Sequence, residues 1–188
     1  MVAAAPDWDL LLDQAASQAG LFRTDQAAEV GFSPELLIHH LKRGRLERIR
    51  RGIYRVRHFP PQDDEQLVEL WLWSNREGVF SHRTALALYD LSDVLPAEVE
   101  MTVPAAWKGR RLRIPEVLRL HHADLAEEER RWVGHVPVTA VFRTIADCID
   151  SAVAPDLVQQ AIKQASAAGR LARREVRELR RRADRAAS

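Results

Sequence analysis

The residues of this chain best suited to chemistry are seven histidines, one cysteine and several close-set carboxylates, and their spacing limits what they can do. His39-His40 and His121-His122 are adjacent pairs. Neighbouring residues point to opposite faces of a strand and diverge widely on a helix, so neither pair makes the two-ligand face of an i,i+4 spacing. His58, His82 and His135 are scattered, and Cys148 stands alone, so no metal site is expected. A metal-dependent nuclease needs converging carboxylates, usually with a lysine. Asp63, Asp64 and Glu65 read better as favourable charge at a helix N-terminus. Glu98 and Glu100 share one face of a strand, but the lysine nearest downstream, Lys108, lies past Pro104. Ser81, His82 and Asp147 make a hydrolytic triad only on paper: the Gly-x-Ser-x-Gly elbow is missing and the histidine adjoins the serine. Ser81 is better read as a helix cap, His82 as a first-turn residue, and Asp147 as the i+4 partner of Arg143. No glycine loop suited to cradling phosphate is present. The expectation is a protein with no catalytic residues and no cofactor.

The strongest signal is electrostatic. From Lys42 to Arg57, eight Lys or Arg stand against the single acid Glu47, a local balance of +7 in a chain whose net charge is +1. Residues 62–100 hold nine acids against Arg76 and Arg83, about −7, and residues 170–185 hold eight arginines against three acids, or +5. Such segregation makes the whole-chain charge uninformative about partners. The basic run needs a solvated face or an anionic partner.

With 188 residues and 46% hydrophobic content the chain can bury a core, as one large domain or two small ones. A single cysteine excludes an internal disulfide and suits a reducing compartment. No apolar run is long enough for a bilayer, and the start "MVAAAPDWD" lacks the form of a signal peptide, so a cytoplasmic protein without membrane association is expected.

The elements that must position these residues follow from periodicity. Trp8, Leu11, Leu12, Ala15, Ala16 and Ala19 recur at helical spacing and Gly20 ends the run. Thr24 offers an N-cap to a short helix ending at Gly31. Ser33 caps a third helix, with Pro34 in its first position and Leu37, Ile38 and Leu41 as its apolar stripe. Gly44 closes it, and a hairpin turning at Arg51-Gly52 follows. A simple two-residue turn sets Arg50 opposite Ile53, Ile49 opposite Tyr54 and Arg48 opposite Arg55, a repulsive cross-strand pair. "HFPPQDDEQ", residues 58–66, reads as a linker, dividing the chain into domains 1–58 and 59–188. Beyond it, helices are expected at about 64–75, 83–90, 140–150 (capped by Thr139), 156–168 and 172–183, with strands at 98–103, 117–121 and 131–133. The fold class is therefore α+β: an N-terminal winged helix-turn-helix, then a mixed domain with a small sheet and C-terminal helices.

Helix, helix, turn, helix, hairpin is the order in which a third helix enters the major groove of DNA and a hairpin wing follows the phosphates. With the stripe turned inward, Glu35, Leu36, His39, His40, Lys42 and Arg43 would face outward. Glu35, His39 and Arg43 suit base edges, and Thr24, Arg45, Arg48, Arg50 and Arg55 suit phosphates. Ser33, His40, Lys42 and Arg51 complete the candidate surface. Roughly five phosphate contacts would give a log–log salt slope of about −4.5. Duplex RNA is the main rival ligand for such a module.

The stretch "GLFRTDQAAEVGFSPELLIHHLKRGRLERIRRGIYRV" resembles the N-terminal winged helix of AbiEi-type antitoxins, and "VFSHRTALALYDLSDVLPAEVEMTVP" and "VPVTAVFRTIADCID" resemble segments of that family's C-terminal region. Gly44, Leu46, Gly52 and Tyr54, Ser81-His82 and Arg143-Thr144-Ile145-Ala146-Asp147 carry the likeness, which spans roughly residues 15–180. The resemblance implies a transcriptional autorepressor on inverted repeats of double-stranded DNA upstream of its own operon. It also implies a C-terminal domain that counteracts a co-expressed toxin of nucleotidyltransferase fold. A homodimer on DNA follows from how such modules read inverted repeats. A one-component ligand-responsive regulator, with a pocket in the Val99 to Val138 sheet, and a DNA-processing nuclease are the alternatives.

Overall fold

The computed structural model describes residues 5–186; residues 1–4, the head of the start read above, and 187–188 lie outside the description. The chain forms two compact units, one made of the described residues up to Arg76 together with Gly134–Val136, the other of the remainder.

The first unit contains α1 (Trp8–Ala16), β1 (Leu21–Arg23), α2 (Thr24–Glu29), α3 (Pro34–Lys42), β2 (Leu46–Arg50), β3 (Ile53–Val56) and α4 (Glu65–Trp73). Asp7 caps α1 by accepting the Leu10 amide at 3.0 Å, and Ser33 caps α3 by accepting that of Leu36 at 3.2 Å. Thr24 does not cap α2. Its hydroxyl and amide both donate to the Gly52 carbonyl, while the Gln26 side chain accepts the Arg23 amide. The strands form an antiparallel sheet in the order β1-β3-β2. Alternation puts Phe22, Tyr54 and Val56 on one face, where they join Leu11, Ala15, Phe32, Leu37 and Leu46 in a buried core.

Leu21, Arg23, Ile53 and Arg55 alternate to the other face of that sheet, and α4 lies against it. Arg23 donates to the Leu72 carbonyl at 2.6 Å, and Arg55 pairs with Glu65 at 3.4 Å. This packing places α4 in the first unit although it lies beyond Pro60-Pro61, so the compact unit runs past the linker expected at 58–66. Asp64 precedes α4 without a side-chain cap. Its carboxylate instead accepts the His135 amide at 2.9 Å and meets the His135 ring, which holds residues 134–136 in this unit.

Gly20 shows how closely the unit is packed. It sits at φ +82, and a Cβ there would lie 2.7 Å from Phe59 Cβ. Gly20→Ala is expected to lower unfolding stability by more than the about 1–2 kcal/mol that the left-handed backbone alone costs an L-residue. Urea unfolding with an unchanged midpoint would refute this.

The second unit holds a five-stranded mixed sheet in the order β6-β5-β4-β8-β7, from β4 (Val79–Phe80), β5 (Val99–Val103), β6 (Leu118–His122), β7 (Arg130–Val133) and β8 (Val136–Thr139, of which all but Val136 belong to this unit). Helices α5 (His82–Leu88), α6 (Val141–Asp150), α7 (Pro155–Ala167) and α8 (Arg173–Ala186) share a core that includes Leu86, Ile145, Cys148, Ile149, Ile162 and Leu179. Thus α8 is docked through Leu179, with Val176 and Ala183 beside it. Thr139 ends β8 rather than capping α6: its hydroxyl meets that of Thr144 at 2.7 Å. The fold is α+β, and no described helix is long and apolar enough to cross a membrane.

Candidate nucleic-acid interface

On α3 the expected inward stripe of Leu37, Ile38 and Leu41 is corrected: the helix is rotated so that Ile38 leaves it, and Leu36, expected outside, packs on the core. Leu37 and His40 are buried, Leu36 and Leu41 pack beside them, and Ile38 is 49% exposed. His40 therefore faces inward, correcting its outward assignment. Its ring lies edge-on to Trp8 at 4.7 Å between centroids, and residues 37, 40 and 41 make the i, i+3, i+4 stripe. Burial, reinforced by His39, Arg45 and Arg43, holds the His40 pKa below its ordinary value, so a neutral imidazole suits this site. Glu35, His39, Lys42 and Arg43 remain on the exposed side, and Ser33 is exposed at the cap.

The wing differs from the simple hairpin by one residue. Arg50 stands opposite Ile53 as expected, but a bulge between Arg48 and Arg50 shifts the register, so Arg48 faces Tyr54 and Glu47 faces Arg55. The expected arginine–arginine pair is replaced by an acid–base pair. Arg51 and Gly52 form the turn, with Gly52 at φ +79.

The structure then divides the arginines into two groups. Arg50 pairs with Glu69 of α4 at 2.7 Å and Arg55 with Glu65, so both expected phosphate contacts are held on the α4 side of the sheet. Lys42, Arg43, Arg45, Arg48, Arg51 and Arg57 are exposed and take no part in the ion pairs that hold Arg23, Arg50 and Arg55. Together they run from the end of α3 along β2 to the wing tip. Arg57, at the end of the basic run, joins the surface without having been singled out, since a residue at the mouth of a turn gave no local signal. Ile38 joins it against its expected place in the buried stripe.

Residues 9–57 match a known family model. Its description is "Transcriptional regulator, AbiEi antitoxin". The AbiEi match therefore covers α1 to the end of the wing, the elements that carry the exposed cations. The structure is also similar to the crystal structure of the RV2827C protein from Mycobacterium tuberculosis, with a TM-score of 0.46 and 13% identity, over 91% of this chain and 70% of that one. No curated protein matches the chain.

Beyond the AbiEi match, the second unit has a buried polar cluster around Glu100, which is only 2% exposed. Arg83 donates to it from its backbone amide at 2.9 Å and from Nε at 3.0 Å, and His121 approaches at 3.3 Å. Glu100 thus alternates away from solvent, because both faces of β5 are covered. His121 stacks on His82 at 3.6 Å. His82 Nδ1 meets the Ser81 hydroxyl at 2.9 Å, and Ser81 is fully buried, so that hydroxyl is closed to a substrate. Arg143 binds Asp147 at 2.7 Å, as its i,i+4 spacing implied, and Glu129 at 2.9 Å. No group of three or more His, Cys, Asp or Glu among the described residues is placed to hold a metal ion. The pocket beside β5, lined by Glu77, Thr102, Asp124 and Arg130, measures about 180 Å³, and an open one at β7, lined by Arg131, Trp132, Phe142 and Arg170, about 510 Å³. Small-molecule sites run to roughly 300–1,000 Å³.

The cluster makes stability sensitive to acid. Burial, with the neighbouring His121, lowers the His82 pKa to about 4. Burial would raise that of Glu100, but hydrogen bonds from His121 and Arg83 outweigh it and hold it at about 2. Both folded-state values lie below those of the unfolded chain, so below neutrality the unfolded state binds more protons. Stability is expected to fall as pH drops from about 6.5 towards 4 through His82, and again below about 4.5 through Glu100. His82→Gln should flatten the first limb of a melting-temperature profile and leave the second. An unaltered first limb would remove His82 as its source.

Proposed function

We propose that the N-terminal unit binds duplex DNA, with α3 in the major groove and the β2–β3 wing on the phosphates, and that the protein is a transcriptional regulator of its own operon. One observation carries this reading: six exposed cations follow α3 and the wing, while the acids of α4 engage only Arg50 and Arg55 on the sheet's other face. Among the described residues these six enter none of the ion pairs that hold Arg23, Arg50 and Arg55, which leaves their charge to an anionic partner. The description of the family that matches residues 9–57 agrees with it. Glu35, His39 and Arg43 read base edges; Arg45, Arg48, Arg51 and Arg57 hold phosphates. The regulator acts in the cytoplasm as a dimer whose symmetry matches an inverted repeat.

We propose further that the second unit counters a co-expressed toxin of nucleotidyltransferase fold, a role that rests on the resemblance of the "SHRTA" and "RTIAD" segments to the C-terminal region of AbiEi-type antitoxins, beyond the matched residues 9–57. Fluorescence anisotropy tests the first half. Binding to the DNA upstream of its own gene should be tighter than to a scrambled duplex and should weaken steeply with salt. Equal, weak binding to both would end the regulator reading. Co-expression with the neighbouring gene product tests the second: growth rescued by residues 77–188 within the full chain, and lost on their truncation, is the expected result.

A further inference from the structure

We infer that Ile38 is a specificity residue of this surface and takes the 5-methyl group of a thymine. The inference rests on the reading of α3 as the helix that enters the major groove. Among the described residues, Ile38 is the exposed large hydrophobic side chain of the segment from α2 through the wing. It takes no part in the core that buries Leu37 and is flanked by Leu36 and Leu41, and about half of its surface stays in solvent. On the helix surface its neighbours one turn away are Glu35 and Lys42, both exposed and charged. A polar side chain would hydrate better at such a position.

The major groove supplies one apolar feature on a base edge, the C5-methyl group of thymine, which apolar side chains contact. A β-branched side chain in a helix is nearly confined to one rotamer, so Ile38 presents its methyl groups with little entropy left to lose. Glu35, one turn before Ile38 on the same side, is placed to address an adjacent base pair. Ile38 thus adds a hydrophobic position beside Glu35 on the reading face.

The test compares wild type and Ile38→Ala on the DNA upstream of the gene, with each thymine replaced singly by deoxyuridine, which removes only the methyl group. Anisotropy should find one thymine in each half of the binding site whose replacement weakens wild type about fourfold, the equivalent of burying one methyl group. Ile38→Ala should be indifferent to that replacement, while keeping wild-type affinity for a scrambled duplex and the wild-type salt slope. That second readout shows the variant is folded and still holds phosphates. If every thymine is dispensable to wild type, or Ile38→Ala shows the same loss at the same thymine, the inference is overturned with DNA binding intact. If wild type does not distinguish its own upstream DNA from the scrambled duplex, the regulator reading falls first and takes this one with it.

Discussion

Replacing Arg48 and Arg51 together with alanine is expected to lower affinity for duplex DNA about 60-fold at about 0.1 M salt, and to reduce the magnitude of the log–log salt slope by about 1.8. Each phosphate contact contributes about 0.9 to that slope through release of condensed counterions, which at this salt is about eightfold in affinity. The loss should be similar on matched and scrambled sequences, because phosphates carry no sequence information. Both side chains are exposed and neither helps hold the sheet to α4, so folding should be unaffected. Arg50→Ala is the informative contrast. Arg50 is engaged by Glu69 at 2.7 Å, so its removal should leave the slope alone and lower stability by at most about 1 kcal/mol, as expected of a partly exposed pair. A salt slope that drops as much for Arg50→Ala, or fails to drop for the double variant, would show that the row of exposed arginines is not the phosphate track.

The second large effect lies in the other unit. Glu100→Ala should destabilise the protein by about 3 kcal/mol, near the low end of what breaking a buried ion pair costs. The carboxylate is 2% exposed and gathers the Arg83 amide, the Arg83 guanidinium and His121, so deletion strands three donors around a cavity. The figure is kept low because Arg83 reaches solvent and can rehydrate. DNA binding by the first unit should be retained in the variant at temperatures where it remains folded. Chemical unfolding followed by fluorescence measures the loss. A change under about 1 kcal/mol would mean that the cluster is dispensable to the fold.

What the sequence determined was local. Ser33 with Pro34 starts a helix, Asp147 four residues after Arg143 finds it, and a strand forms at residues 99–103 within the span 98–103 expected for it, because each rule involves groups within one turn or one pleat. The order of elements in the winged module, and the segment that the family model matches, were legible for the same reason. The short strands β1, β4 and β8 were not, since two to four residues leave no period to detect.

Partners distant in the chain were settled only by the tertiary structure. The basic run counted eight cations without telling Arg48 from Arg50, because the difference is made by a one-residue bulge and by Glu69 of α4, nineteen residues from Arg50. Helical periodicity put Ile38 in the buried stripe of α3 and His40 outside, and the tertiary structure reversed the two, with Trp8 packed on His40 and Ile38 turned outward. Alternation placed Glu100 on a polar face of β5, and the elements that cover that face turned it into a buried anion. Sequence determines which faces a segment has, whereas the free energy of burying them, and with it the choice of which charges stay in water, is set only when the segments meet.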